Sequence, residues 1–501
     1  MRFPSRVLVA LALAVVSGQR TFAQIVLPDL APAAVEATTA QLPVRLEIDP
    51  KALNLNFNQG AGANAPAGVC AACPPRRLGT AFLQVTYVNV FYELANLIRG
   101  QTTARITPET WWTNMKRGWE WDLDDFAVNQ IGHPYQGNNY FTAGRANGLN
   151  FWESSAITAF GSGTWEYFGE TNKASLNDFI NTTLGGIALG EVFHRTAWLM
   201  RDSGGSHRLS RELFATAVDP MTGINRFISG DYGNTTGKPP YAVPSSLGGV
   251  VAAGALSRND SAGDEWSTKP FVEINLRYGE PDTGRSRTPY DAFLVRLRFG
   301  GGSGFSEARV RGRLLGQPLK NGRFQVSVAQ SYDFVKNGAY EFGAQGFDAS
   351  AAIASTLSSR VTMRLVGWGG LTVLGAVDSV PLVAPEQTEQ PESGQGISEG
   401  PRTFDYGPGS TYGGAAIFAH DKRAFAVATI EGRHLFIVDG VRANHLLQRI
   451  RLDLLAPLRG PIRAGVTGEY LKRHTFYKDA AESKAVFGYT QISVYIAWGI
   501  S

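Results

Sequence analysis

Residues 291–314 read DAFLVRLRFGGGSGFSEARVRGRL, two alternating runs separated by glycines. In the first run Phe293, Val295, Leu297 and Phe299 alternate with Leu294, Arg296 and Arg298. In the second, Ala308, Val310, Gly312 and Leu314 alternate with Glu307, Arg309, Arg311 and Arg313. A period of two sends successive side chains to opposite faces of a strand. One face is therefore apolar and uncharged, and the other is rich in arginine.

Working outward, the same period recurs to the C-terminus. Val272, Ile274, Leu276 and Tyr278 alternate with Glu273, Asn275 and Arg277. Phe324, Val326 and Val328 alternate with Gln325 and Ser327, and Ile450, Leu452 and Leu454 alternate with Arg449, Arg451 and Asp453. The last run alternates Ile492, Val494, Ile496, Trp498 and Ile500 with Gln491, Ser493, Tyr495 and Ala497. Runs of about 9–11 residues, separated by turns such as Lys320-Asn321-Gly322 and Lys336-Asn337-Gly338, have the form of outer-membrane barrel strands. Roughly ten to twelve such segments follow, consistent with an even-stranded barrel. A soluble β-sandwich or a lipocalin-like barrel alternates too. Its polar face favours mixed Lys and Glu, whereas here Arg stands with Gln, Ser, Thr and Gly. Residues 384–402, APEQTEQPESGQGISEGPR, are polar, charged and rich in Pro and Gly, so an exposed loop between strands is expected there.

The rest of the chain fits an exported protein. Arg2 and Arg6 precede the apolar core VLVALALAVV at 7–16, and Thr21-Phe22-Ala23 offers a cleavage site before Gln24. That core is about half the roughly 20 residues a membrane-spanning helix needs. Cys70 and Cys73, the two cysteines, form C-A-A-C in a segment rich in Ala, Gly and Pro. With no second pair for zinc, a local disulfide or two free thiols is expected. With 501 residues there is room for two or three domains, and a net charge of +4 gives no reason to invoke nucleic acid.

The expected fold class is α+β: an N-terminal helical domain followed by an antiparallel transmembrane β-barrel. The expected divisions are a signal peptide at 1–23, a flexible tether at 24–76 with a short strand at 44–48, and a helical domain at 77–230. A Gly/Pro/Ser-rich linker at 231–266 and the barrel at 267–501 complete the chain. Apolar residues at helical spacing predict a helix over 78–99. Thr107-Pro108-Glu109 opens another, and further helices are expected at 150–168, 176–200 and 209–228. Ser175 to Asp178 has the form of a capping box. Residues 133–148, rich in Pro, Gly, Asn and Tyr, read as an ordered loop.

Residues 111–195 hold most of the tryptophans and a dense set of acids. Their motifs are Gly132-His133-Pro134-Tyr135, Gly137-Asn138, Tyr140 and Ala143-Gly144-Arg145, then WEYFGE at 165–170, Ser175 with Asn177-Asp178, Gly185-Gly186 and Gly190-Glu191. In this combination the segment resembles the family named domain of unknown function 3943. The resemblance implies a bacterial cell-envelope setting and no established reaction. Tyr135, Asn138, Arg145, Glu153, Asn177 and Glu191 are the motif positions to follow.

From residue types alone, Glu166 and Glu170 share a helix face, where like charges repel unless a cation, an arginine or a shared proton intervenes. Glu191 and His194 have the E-x-x-H spacing by which a helix presents metal ligands. It occurs once, whereas dimetal bundles use it twice, so no metal or cofactor is assigned. Gly161-Ser162-Gly163 is not a nucleophile elbow, Ser175 reads as a helix cap, and Gly186-x-x-x-Gly190 suits close helix approach.

Two functions stay open. The first is an outer-membrane barrel with the helical domain at or in the lumen, in a structural, gating or transport role. Its partners would be outer-membrane lipid and an anionic solute or envelope component. The second is a membrane-associated hydrolase of lipid or peptidoglycan using His133, Glu166, Glu170 and Asp178. Lumenal ionic positions are Arg277, Arg296, Arg298, Arg309, Arg311, Arg449 and Arg451. The acids of 111–195 are expected to pair with some of these arginines, because a narrow barrel cannot hold many unpaired like charges.

Overall fold

The computed structural model describes residues 73–122, 124–201, 208–234, 238–260, 263–281, 284–319, 323–379, 404–421, 423–478 and 484–500. The signal peptide, nearly all of the tether with its strand at 44–48, the 320–322 turn and the loop at 384–402 lie outside these residues. Cys73 is disulfide-bonded.

Two short strands, β1 (Trp119–Glu120) and β2 (Ala174–Ser175), pair in parallel within the helical region. Twelve strands then close one antiparallel barrel. They are β3 (Leu247–Asp260), β4 (Gly263–Tyr278), β5 (Phe293–Gly300), β6 (Ser303–Leu319), β7 (Phe324–Lys336) and β8 (Glu341–Thr356), followed by β9 (Val361–Asp378), β10 (Phe404–His420), β11 (Arg423–Phe436), β12 (Ala443–Arg459), β13 (Ile462–Tyr477) and β14 (Lys484–Ile500). The ring closes between β14 and β3, with Tyr495 opposite Gly254. β3 and the start of β4 fall inside 231–266, which composition reads as linker. Small residues such as Gly248, Gly249, Ala252 and Ala253 carry this strand, so its alternation is faint. Apart from β5, with 8 residues, the strands run 13 to 18 residues, longer than the apolar runs alone suggest.

Alternation decides which face is which. Glu273, Arg298, Glu307, Arg309, Asp333, Glu431, Arg449, Arg451 and Glu469 reach across to strands on the opposite wall, which is only possible inside the lumen. Their sequence neighbours must point outward. On β11, β12 and β14 these outward residues are exposed and apolar: Ile430, Ile450, Leu452, Leu454, Val494 and Ile496. Bare apolar positions on a closed barrel are what a hydrocarbon-facing wall requires.

The helices cover much of the remaining wall. They are α1 (Leu78–Ile98), α2 (Pro108–Arg117), α3 (His133–Ala146), α4 (Phe151–Phe168), α5 (Leu176–Ile180), α6 (Gly186–Arg201), α7 (Arg208–Val218) and α8 (Pro220–Ile228). A π-helical turn at Val128–Gly132 leads into α3, and another at Asn181–Gly185 joins α5 to α6. Thr107 caps α2 with Pro108 in the first turn, and Asn150 and Glu153 form a capping box on α4. Ser175 accepts from the Asp178 amide, and the Asp178 carboxyl accepts from the Asn177 side chain.

Residues 133–146 are helix, not loop. Pro134 fits the first turn, and the glycines serve a crossing. A Cβ on Gly137 would lie 1.8 Å from the Thr182 carbonyl oxygen, and one on Gly186 would lie 2.5 Å from Gly137 Cα. A Cβ on Gly190 would meet the Phe141 ring, as the spacing of Gly186 and Gly190 anticipates.

The helical layer lies on the outside of the barrel. On β7, Asp333 and Val335 face the lumen, so Gln330, Tyr332 and Phe334 face outward, and these carry the helices. Tyr332 donates to the Gln130 carbonyl at 2.6 Å, Gln330 to the Leu184 carbonyl at 2.8 Å, and Phe334 packs on Phe126. From β8, Gln345 donates to Asn181. Trp121 stacks on Tyr406 of β10, and Phe151 stacks on Tyr290 in the loop between β4 and β5. One core joins Phe141, Phe151, Ile187 and Val192 of the helices to Tyr278, Phe293, Val310 and Tyr406 of the barrel.

Candidate functional site

The lumen carries two stacked closures. The first is ionic. Arg298 pairs with Glu273 at 2.6 Å and with Glu469 at 3.3 Å, and Arg449 pairs with Glu307 at 3.0 Å and with Glu469. Arg451 joins Glu469 at 2.8 Å and Asp453 at 2.7 Å, Arg309 joins Glu431 at 2.7 Å, and Arg311 and Arg433 both reach Asp333 at 2.9 Å. Eight-stranded barrels are filled by ordinary side chains and porins of 16 or more strands leave a channel. At twelve strands, long Arg and Glu side chains from opposite walls meet in the middle.

The second closure is apolar. The turn between β7 and β8 folds inward, with Asn337 accepting from the amides of Ala339 and Tyr340 and Tyr489 accepting from Gly338. Tyr340, Phe342, Leu435, Leu447 and Leu471 pack there. A small pocket between the closures is lined by Arg309, Glu431, Arg433, Arg449 and Tyr340. A second small pocket is lined by Arg258, Arg298, Glu307 and Gln491.

Of the seven arginines read as lumenal, Arg296, Arg298, Arg309, Arg311, Arg449 and Arg451 join this network. Arg277 is half exposed at the strand end, 3.9 Å from Glu280. The expected partners are corrected: the arginines face Glu273, Glu307, Asp333, Glu431 and Glu469 of the barrel itself, not the acids of 111–195. The barrel's own acids alternate in the same phase as its arginines and neutralise them within the lumen.

A separate acidic cluster is buried in the helical layer. His133 Nε2 lies 3.4 Å from Asp178 Oδ1, and Asn177 donates to Asp178 at 2.9 Å and to Asn129 at 2.9 Å. Glu166 accepts from the Ser175 amide at 2.8 Å, and Glu170 accepts from the Trp165 indole at 3.2 Å. Burial, reinforced by Asp178 and Glu170, pushes the Glu166 carboxyl far above the carboxylate range. Burial beside Asp122 raises Asp178 as well, and takes Glu170 up to about 8. Burial lowers His133, against the pull of Asp124 and Asp122. Burial thus favours the neutral forms of both the acids and the imidazole.

This grouping brings His133, Glu166, Glu170 and Asp178 together without a nucleophile. Ser175 is the cap of α5 and bonds Asn177, Ser162 donates to the Phe179 carbonyl, and Ser155 to the Phe151 carbonyl. Tyr135 is half-buried, its carbonyl accepting from Asn139. Asn138 is fully buried with neither amide atom hydrogen-bonded. Glu153 caps α4 and holds Arg76 at 2.6 Å.

Glu191 and His194 diverge instead of sharing a ligand, and no group of three His, Cys, Asp or Glu among the described residues could hold a metal. Glu191 lies between Arg145 at 2.9 Å and Arg195 at 2.7 Å. His194 meets Asp219 at 2.8 Å and the Tyr241 hydroxyl at 3.0 Å. Arg195 also donates to the Pro289 carbonyl at 2.8 Å, so this hub ties α6 to the β4–β5 loop of the barrel.

No curated protein matches the chain. Among solved structures, a NanC porin is similar with a TM-score of 0.26 and 6% identity, over 50% of this chain and 99% of the other. An outer membrane channel from Pseudomonas putida F1 gives 0.25 and 10%, over 52% and 97%. Outer membrane phospholipase A from Escherichia coli gives 0.23 and 10%, over 52% and 92%. Residues 118–221, from the end of α2 into α8, match the family model described as domain of unknown function (DUF3943).

Proposed function

We propose that this protein is a bacterial outer-membrane barrel of the transport class, with a lumen latched shut by ion pairs and a helical layer bracing its wall. The observation that carries the reading is the set of cross-lumen contacts: Arg298–Glu469, Arg309–Glu431, Arg449–Glu307, Arg451–Glu273 and Arg433–Asp333. An apolar plug would have to expose hydrocarbon on opening. A paired charge exchanges its partner for water, so the ionic closure can open without an apolar penalty, while the apolar closure opens only as the β7–β8 turn that carries Tyr340 withdraws. The small solutes suited to such a lumen are charged, and once carboxylates leave, the remaining arginines favour anions.

The test is conductance in planar bilayers. The wild type is expected to be mostly closed. Glu307→Gln with Glu469→Gln should raise the open fraction and shift selectivity toward anions. If wild type, the double variant and the double variant with Tyr340→Ala and Phe342→Ala added are equally silent, the lumen is a permanent core and the barrel is a scaffold. The hydrolase reading is not adopted, because the His133 cluster has no serine donating to the imidazole.

A further inference from the structure

We infer that the outer face of the helical layer, formed by α1 and α8, is a docking surface for lipid acyl chains, an extension of the barrel's own hydrocarbon-facing wall. The inference rests on the outer-membrane reading above.

α1 is apolar on both sides. Ala81, Val85 and Val88 pack inward on Tyr140, Ala143 and Ala146 of α3. The opposite side carries Tyr87, Val90, Phe91, Leu94 and Ile98, with Phe91 67% and Ile98 87% exposed. A helix apolar all round belongs in a core or in lipid, not against water. Within its 21 residues the one charged residue type is Glu93, which is buried, while Arg77 and Arg99 stand at its two ends. Cationic ends on an apolar body fit an element that lies against hydrocarbon with its termini at the polar boundary.

α8 continues the surface. Gln84 of α1 donates to Asn225 of α8, and Met221 shares the α1–α3 core. Beside that contact Phe227 and Ile228 are 71% and 76% exposed.

Lipid is chosen over a protein partner by continuity. The layer lies on the outward faces of β4 to β10, in the ring that elsewhere presents Ile430, Ile450 and Val494. What lies beyond the uncovered strands therefore also lies beyond the helices. No described helix is long and apolar enough to cross a membrane, so the contact is lateral.

The experiment uses the full chain in phosphatidylcholine vesicles, some carrying mid-chain nitroxide lipid. An environment-sensitive thiol dye is placed at Ile450→Cys on the barrel and at Phe91→Cys and Phe227→Cys on the helices. All three are expected to lose emission to the nitroxide equally and to resist aqueous iodide. If Ile450→Cys is quenched by lipid but either helix position is open to iodide, or shielded from both quenchers as under a second protein, the inference is wrong and the barrel reading stands. If Ile450→Cys itself escapes the nitroxide, the outer-membrane reading falls and this inference with it.

Discussion

Glu191 has 0% exposure, and two guanidiniums share its carboxylate. The arginines hold it below the usual carboxylate range despite burial. Glu191→Ala would leave Arg145 and Arg195 charged and without that partner. Breaking such a buried set costs about 3–5 kcal/mol, and chemical denaturation of the detergent-folded protein should show a loss of that order. Glu153→Ala removes a carboxylate from the half-exposed Arg76 and should lose much less, mainly through the cap on α4. The acidic cluster makes the opposite kind of prediction. An acid whose folded pKa is raised binds more protons folded than unfolded, so its contribution declines as pH rises. For Glu170 the decline should run from the ordinary carboxylate range, roughly 4.3, to about 8, and level off above. Stability of the helical layer measured from acid to alkaline pH should fall through that window, and Glu170→Gln should flatten the fall.

Among the elements, the crossing of α3 and α6 is the least forgiving. Gly137→Ala would drive a methyl into the Thr182 carbonyl, a backbone atom that cannot move aside. Overpacking of this kind costs about 1–3 kcal/mol or more, and limited proteolysis should show the helices released while the barrel remains folded. The composition of 133–148 hid this, because Gly, Pro and Asn mark turns locally and the need for a bare backbone is set by Thr182 and Gly186, far along the chain. The strands were legible for the converse reason. Alternation is local, and Ile450 with Arg449 or Val310 with Arg309 states it outright. What alternation cannot state is which apolar position meets lipid and which meets protein. Ile450 is half exposed and Val310 is 2% exposed beneath the helices. Leu276 and Val295 also pack against the shared core, so they are not plain lipid positions. Ile450→Arg should therefore cost about 2–4 kcal/mol in folding into vesicles. Val310→Arg should instead detach the helical layer, and Ser327→Arg, on the lumen side, should be tolerated better than either.

Across the whole molecule, the barrel and the helices form one hydrophobic core and the lumen is neutralised from within. The sequence motifs marked the helical layer as a unit and its acids as a group, but not its side of the wall. Glu273, Glu307, Asp333, Glu431 and Glu469 sit at the same alternating positions as the lumenal arginines, and this was the legible sign that the barrel needed no outside counter-charge. The consequence reaches into how the protein is made. Gln330, Tyr332 and Gln345 point outward from the strands, and their polar groups are met by Leu184, Gln130 and Asn181 of the helices. Hydrocarbon offers such groups no partner. The wall therefore has to be dressed before it enters the bilayer, which assigns the earlier-synthesised helices an order of assembly: they wait for β7 and β8 and accompany them inward. A chain lacking residues 77–230 should accumulate as an uninserted, protease-sensitive intermediate, and supplying that segment separately should rescue insertion only if it is present before the barrel meets the membrane.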